Sequence, residues 1–188
     1  HSFIKKNNLN NLRLNLINHL NSNKNFRHLY YSFAKEYLEK IVGNELAMQQ
    51  KINLSIQLPN DNSSLLPIHS DVWTGCSPFE VVLWVPLVDV NGSKSMFIFP
   101  KNINDRVYKR LSSYKNSQIL YEKNKKKIKF LKLRFGQGLI FSHSVIHGNI
   151  VNDTNETRWS LNCRFKSLMS PYDKKDIAET FVPISIKP

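Results

Sequence analysis

Two residue types that bind metals stand two positions apart at one place in the chain, in His69-Ser70-Asp71. In a β-strand, residues i and i+2 point to the same face, so this imidazole and this carboxylate would converge on one point. Non-haem Fe(II) oxygenases hold iron with two histidines and one carboxylate on one face of the metal. The pattern therefore predicts two of three iron ligands. On its own it also fits a histidine and an aspartate exposed at the end of a strand.

The third ligand would come from the segment 136–149, which reads as a turn, a buried strand, a second turn and the start of another strand. It offers two histidines, His143 and His147. We favour His147 because Gly148 follows it, and glycine allows a backbone to approach a metal closely. It also precedes Arg158 by 11 residues. His143 is then expected in the core or behind the ligands, although it competes for the same role.

The segment Arg158–Arg164 alternates like a strand with one polar and one apolar face. Arg158, Ser160, Asn162 and Arg164 share the polar face, which could line a cavity. An arginine fork binds a carboxylate through two parallel hydrogen bonds, and a serine hydroxyl can add a third. The pattern predicts an anion site centred on Arg158. An edge strand with a solvated polar face would have the same alternation.

The remaining elements predict a mainly β protein. Apolar residues recur at helical spacing over Leu9–Leu20 and Phe26–Ile41, before Gly43-Asn44. Many short strands follow, and they favour a barrel or jelly roll that carries N-terminal helices. We predict one domain over 1–188, with a helical part at 1–50 and a jelly-roll core at 52–168. The predicted strands are 52–58, 65–69, 79–87, 95–99, 128–135, 139–142, 145–151 and 157–168, with a helix at 102–114 and a basic loop after it.

The amino-acid composition indicates which kinds of molecule the protein could bind and in which compartment it could lie. Lys+Arg exceeds Asp+Glu by 27 − 14 = 13, which favours acidic partners or a solvated basic face. The two cysteines do not form a disulfide framework, and a reducing, cytoplasmic compartment fits them. The longest apolar run, near 81–88, is far below the roughly 20 residues that span a bilayer. We therefore expect no membrane span. The sequence predicts no particular oligomeric state.

The order and spacing of these motifs resemble a known family. His-x-Asp, a later histidine followed by glycine, and Arg-x-Ser 11 residues after it form the layout of Fe(II)/2-oxoglutarate-dependent dioxygenases. Within them the chain looks like the phytanoyl-CoA-dioxygenase branch. It looks closer still to relatives of a streptomycin-biosynthesis protein found in carbohydrate and antibiotic gene clusters. The stretches 69–89 and 94–100 carry that closer match, and the resemblance spans 65–168.

The resemblance implies a double-stranded β-helix of the cupin-like, jelly-roll type. It implies that His69, Asp71 and His147 bind Fe(II), and that Arg158 binds the distal carboxylate of 2-oxoglutarate with help from Ser160. The implied reaction is hydroxylation of a small molecule by O2, with release of succinate and CO2. The implied substrate is a sugar, a nucleotide-sugar or a related anionic metabolite, as in carbohydrate biosynthesis.

Several further residues carry expectations. Lys94 lies near the predicted site and competes with Arg158, since some of these oxygenases bind the distal carboxylate through a lysine there. Arg164, with Asn162 beside it, is the candidate for an anionic group of the substrate; its alternative is a structural ion pair. Trp73 is a candidate pocket residue, with core packing as its alternative. The same two roles, pocket lining and core packing, are open for Trp84. Gln57 is expected at the surface, with contact to 2-oxoglutarate or the substrate as its alternative.

Two other functions fit parts of the sequence. An AlkB-like nucleic-acid demethylase would share the iron and the co-substrate, and Arg158 and Arg164 reproduce its Arg-x5-Arg spacing. The short interval from His147 to Arg158 and the lack of an aromatic platform for bases argue against it. A non-oxidative, cupin-like metal-binding protein is the other alternative. It usually supplies three histidines and a glutamate, and that set is not found here.

Overall fold

A computed structural model describes residues 8–171, 177 and 179–186. The predicted helix at Leu9 is present and extends to Ser22. The predicted helix Phe26–Ile41 is two helices, because Ala34 leaves the helical conformation at φ −132° and ψ 19°. The helices of the described chain are α1 (Leu9–Ser22), α2 (Phe26–Ser32), α3 (Lys35–Val42), α4 (Lys101–Lys109) and α5 (Ser117–Asn124).

The strands form two antiparallel sheets. The large sheet has six strands in the order β6-β3-β8-β1-β9, and β2 also pairs with β8; the small sheet has the order β5-β4-β7. The strand bounds are β1 (Leu46–Gln49), β2 (Asn53–Gln57), β3 (Val81–Pro86), β4 (Phe97–Ile98), β5 (Lys129–Phe130), β6 (Leu139–Ser142), β7 (His147–Gly148), β8 (Arg158–Ser167) and β9 (Phe181–Ser185). The fold is thus mainly antiparallel sheet with flanking helices.

Strand β8 lies at the centre of the large sheet. It pairs with β3 along one side and with both β1 and β2 along the other. Its apolar residues Leu161, Cys163 and Phe165 belong to the core between the sheet and helices α1 to α3. Since side chains alternate along a strand, the predicted polar face points the other way, between the two sheets.

Two further apolar clusters support the small sheet. One packs Phe97 and Ile146 against Ile103 and Val107 of α4. The other lies between the sheets and contains Val82, Trp84, Val90, Met96 and Phe141. This second cluster forms one wall of the space into which the polar face of β8 points.

Several sequence-based predictions were wrong in detail. Residues 65–69 do not form a strand; within them only His69 pairs, in an isolated bridge with His147. The segment after α4 was expected to be a loop, but it contains α5. Strands β1 and β9 were not predicted. Residues 1–7 of the predicted helical part lie outside the described residues.

Among the residues described, no helix is both long enough and apolar enough to span a membrane.

Candidate active site

His69 and His147 are brought together by their own main chains. Each backbone N–H donates to the carbonyl oxygen of the other, at 2.9 Å in both directions. Strand β7, which contains His147, is held by β4 in the small sheet. The two imidazole rings lie 4.3 Å apart, centroid to centroid. The predicted pair of histidines is therefore assembled by a local bridge between distant segments.

Hydrogen bonds fix which ring nitrogen of each histidine is free. Nδ1 of His69 lies 2.7 Å from the carbonyl oxygen of Pro67, and Nδ1 of His147 lies 2.8 Å from that of Val145. A carbonyl oxygen only accepts, so Nδ1 must carry the proton in both rings. The lone pair of each Nε2 then remains available. Metal-binding histidines are held by this arrangement, in which a carbonyl fixes the tautomer.

The environment of His147 also favours the neutral ring. Burial, followed by the nearby charge of His69, lowers the pKa of His147 to about 4. The imidazole is therefore uncharged near neutral pH, which is the form that coordinates metals.

Asp71 reaches the same pocket by a different local structure from the one predicted. Ser70 is extended, but Asp71 begins a 3-10 turn that ends at Thr74, so the expected strand alternation does not apply. The Ser70 hydroxyl lies 2.7 Å from the His143 carbonyl oxygen and 2.7 Å from the Tyr108 hydroxyl, which fixes the backbone at this point.

The Asp71 carboxylate is drawn towards cationic and imidazole groups. Oδ1 lies 3.5 Å from Nη2 of Arg164, and Oδ2 lies 4.0 Å from Nε2 of His143. The donor atoms of His69, Asp71 and His147 are not all within 4.8 Å of one another. At least one of these side chains must therefore turn if the three are to bind one ion.

Arg158 is almost completely buried. It is 3% exposed, and Nη2 donates to the Ser55 hydroxyl at 3.3 Å, while Nε finds no hydrogen-bond partner within the described part of the chain. Burial lowers the pKa of Arg158 to about 10, so it stays protonated at neutral pH. Among the described residues, no carboxylate forms an ion pair with it. A buried guanidinium in this state is a site for an anion.

These residues line one pocket of about 140 Å³ between the two sheets. The remaining lining mixes apolar and polar side chains. The full lining comprises Ser55, Leu66, His69, Asp71, Val82, Trp84, Met96, Phe141, His147, Gly148, Asn149, Arg158, Asn162 and Arg164.

The structure does not bring every predicted site residue to this pocket. Lys94 is buried in a 3-10 turn (Gly92–Lys94), pairs with Glu156, and is not among the lining residues. Trp73 packs edge-on against Tyr108 and also lies outside the lining. Ser160 shares the face of Arg158, but its buried hydroxyl has no hydrogen-bond partner among the described residues and does not line the pocket.

Three other residues differ from expectation. Gln57 is fully buried rather than at the surface, and its amide donates to the Ile150 carbonyl at 2.7 Å. Gly148 allows a close approach to neighbouring segments that the sequence did not indicate: a Cβ there would lie 2.9 Å from the Phe97 ring and 3.1 Å from the Ile68 backbone. Arg164, for which the sequence suggested Asp89 or Asp153 as a structural ion-pair partner, lies 3.5 Å from Asp71 instead.

A second cluster escaped the sequence analysis. Cys76, Glu80 and His143 are all buried, and their donor atoms lie within 4.8 Å of one another. His143, which was expected in the core or behind the proposed ligands, is fully buried, and its Nε2 lies 4.0 Å from Oδ2 of Asp71. Cys76 and Glu80 carried no signal, because a cysteine and a glutamate four positions apart are common in any loop.

Comparison with known proteins gives structural matches only. No protein-family model matches this sequence, and no curated protein matches it. The non-heme monooxygenase ThoJ, in its nickel complex, matches with a TM-score of 0.57 and 18% identity, over 81% of this chain and 56% of that one. SnoN, a non-heme alpha-ketoglutarate-dependent epimerase from nogalamycin biosynthesis, matches with a TM-score of 0.53 and 18% identity, over 78% and 57%.

A third match is HygX from Streptomyces hygroscopicus, solved with nickel and 2-oxoglutarate bound. Its TM-score is 0.58 at 11% identity, over 85% of this chain and 71% of HygX. The chain spans less than two thirds of the length of ThoJ and SnoN. At these identities the likeness concerns the fold. The chain therefore has the fold of a group of non-heme monooxygenases and 2-oxoglutarate-dependent enzymes.

Proposed function

We propose that this protein is an Fe(II)- and 2-oxoglutarate-dependent oxygenase that hydroxylates a small molecule and releases succinate and CO2. The observation that carries the proposal is Arg158, a buried guanidinium in the pocket that His69 and His147 line, with no carboxylate partner among the residues that the structure describes. Such an arginine is unfavourable unless an anion binds it. The fold likeness supports the proposal, and we assign the two sheets to a double-stranded β-helix.

Different residues of the pocket bind the metal and the co-substrate in this proposal. The Nε2 atoms of His69 and His147, with the carboxylate of Asp71, are the proposed ligands of Fe(II). Arg158 holds the distal carboxylate of 2-oxoglutarate, and Ser55 supports the guanidinium. Iron with 2-oxoglutarate supplies the activation of O2, which no side chain can perform. The apolar wall formed by Val82, Met96 and Phe141 excludes water from the reacting groups.

The substrate is proposed to be a small anionic or sugar-related metabolite that meets Arg164 and Asn162. Both side chains line the pocket. Arg164 is only about a quarter exposed and also contacts Asp71. Its positive charge therefore acts both on Asp71, a proposed iron ligand, and on the substrate. Addition of phosphorylated sugars and nucleotide-sugars should stimulate the turnover of 2-oxoglutarate, and stimulation by neutral compounds alone would reject the anionic class.

The test of the function is an anaerobic titration with Fe(II) and then 2-oxoglutarate. We expect a weak visible charge-transfer band that appears only when both are present, and that is absent from His69→Ala. Admission of O2 should then yield succinate. Metal binding without the band, or O2 exposure without succinate, would leave a non-oxidative metal-binding protein as the better description.

A further inference from the structure

A buried polar cluster lies directly behind Asp71. Cys76 and Glu80 belong to the loop between the 3-10 turn and β3, while His143 follows β6. The pairing of Val81 with Ser142 brings these segments together, and the backbone N–H of His143 donates to the Glu80 carbonyl at 3.3 Å. The cluster is thus a product of the β3–β6 ladder and not of any local motif.

The His143 ring bridges two carboxylates. Nδ1 lies 3.3 Å from Oε2 of Glu80, and Nε2 lies 4.0 Å from Oδ2 of Asp71. The second distance exceeds a direct hydrogen bond, so the contact is electrostatic and a small rotation of Asp71 would close it. The His143 ring is fully buried, and it therefore has little freedom to move towards Asp71 itself.

On both sides of the His143 ring, a carboxylate comes first and a cation lies beyond it. Arg164 faces Asp71 on one side. Lys166 lies on the other side: burial lowers its pKa, and the charge of Glu80 opposes that shift. Both cations lie on the same face of β8. The order is therefore Arg164, Asp71, His143, Glu80, Lys166, with each carboxylate between two nitrogen groups.

We propose that His143, held by Glu80, is a positioning residue that orients the Asp71 carboxylate for metal binding; this rests on the proposed function. Ligating carboxylates are commonly held by hydrogen bonds from outside the metal site, and loss of such a partner weakens metal affinity about 10- to 100-fold. Asp71 needs this support because Arg164, its other neighbour, is partly exposed and draws the carboxylate towards itself.

The donor atoms of Cys76, Glu80 and His143 are close enough to hold a metal ion of their own. We favour the positioning role, because Lys166 already opposes the charge of Glu80 and because burial leaves the three donors no direct route to solvent. A second ion is therefore an outcome that the experiment must be able to detect.

The experiment measures Mn(II) affinity and stoichiometry in the full chain, using Mn(II) as a stable probe for Fe(II). His143→Leu removes the ring nitrogens at similar volume, and we expect a 10- to 100-fold loss of affinity. His143→Gln keeps an amide donor and should restore most of it. Glu80→Gln should weaken binding in the same direction. Cys76→Ser changes a side chain of the same cluster but keeps the backbone hydrogen bond from the Cys76 N–H to the Asp71 carbonyl, so it is the matched control and should bind as the parent does.

The Fe(II)–2-oxoglutarate band gives a second readout that a purely structural role would not move. It should shift in His143→Leu and return towards its original position in His143→Gln. Thermal unfolding of each variant shows whether it is folded. If His143→Leu does not fold, Glu80→Gln decides the matter.

The outcomes separate the two proposals. A parent protein that binds no Mn(II) overturns the proposed function, and this inference with it. A parent that binds one ion, while His143→Leu and Glu80→Gln bind it equally well, overturns the positioning role alone. Two ions in the parent and one in Cys76→Ser would also overturn it, because the cluster would then be a metal site.

Discussion

Because Arg158 is buried, we expect its replacement to have two opposite effects: on the stability of the metal-free protein and on its affinity for 2-oxoglutarate. Burial lowers the pKa of this arginine from 12.5 to about 10, which corresponds to about 3 kcal/mol of unfavourable desolvation. The hydrogen bond to Ser55 compensates part of it. Arg158→Met keeps much of the side-chain volume and removes the charge. We expect the metal-free variant to be as stable as the parent or more stable by about 1–3 kcal/mol, as when other buried charges are replaced by apolar groups.

The same substitution should weaken the binding of 2-oxoglutarate. Loss of one partner of a shielded charge pair costs on the order of 2–5 kcal/mol, or at least a 30-fold fall in affinity. Urea unfolding measures the first effect. Calorimetric titration of the Mn(II)-loaded protein measures the second. Lys94→Met is the matched control, and it should lose its pair with Glu156 yet bind 2-oxoglutarate normally.

Two results would refute this reasoning. A large loss of stability in Arg158→Met would mean that the arginine has a structural partner and is not reserved for a ligand. Equal affinity for 2-oxoglutarate in variant and parent would remove its proposed role, and a large loss in Lys94→Met would transfer that role to the lysine.

Three further predictions concern the proposed metal ligands and the residues around them. His69→Ala and Asp71→Ala should each abolish tight Mn(II) binding, measured by equilibrium dialysis; parent-like binding in both would place the site elsewhere. The metal-free protein should lose up to about 3 kcal/mol of stability as the pH falls from about 6.5 to 4, because the unfolded chain protonates His147 before the folded protein does; urea unfolding of His147→Asn should show a flatter pH profile. Gly148→Ala should lower stability by about 1–3 kcal/mol, since its Cβ would press on Phe97 and on neighbouring backbone; an unchanged melting temperature would show that the small sheet can yield.

Strands and helices were predicted best where their hydrophobic periodicity is clear. The polar and apolar faces of β8 are as expected, because alternation over ten residues leaves one arrangement that buries Leu161 and Phe165. Strand β6 has the predicted bounds. Strand β1 was not foreseen because its residues are buried almost throughout, which removes the alternation. Helix α5 was missed because it buries only Leu120 and Asn124, so its hydrophobic period is faint among the lysines around it.

The candidate site was predicted as a set of residues but not as a geometry. His69, Asp71, His147 and Arg158 do line one pocket. The strand predicted at Asp71 was wrong. This residue begins a 3-10 turn, next to which Ser70 contacts the distant residues His143 and Tyr108. Tertiary partners of this kind leave no local pattern. The same holds for Glu80, whose place behind the site depends on strand pairing.

The central position of β8 has a consequence for the order of folding. Its partners in β1 and β2 precede it by more than 100 residues, as in the pair Asn53 and Asn162 at 109 positions. Pairings over such separations form slowly, because closing a long loop costs entropy before any contact is gained. During synthesis, the large sheet cannot close until β8 has left the ribosome. Since β8 also carries Arg158, the centre of the sheet and the proposed anion site would form in one step, and no chain that lacks β8 could hold the proposed co-substrate.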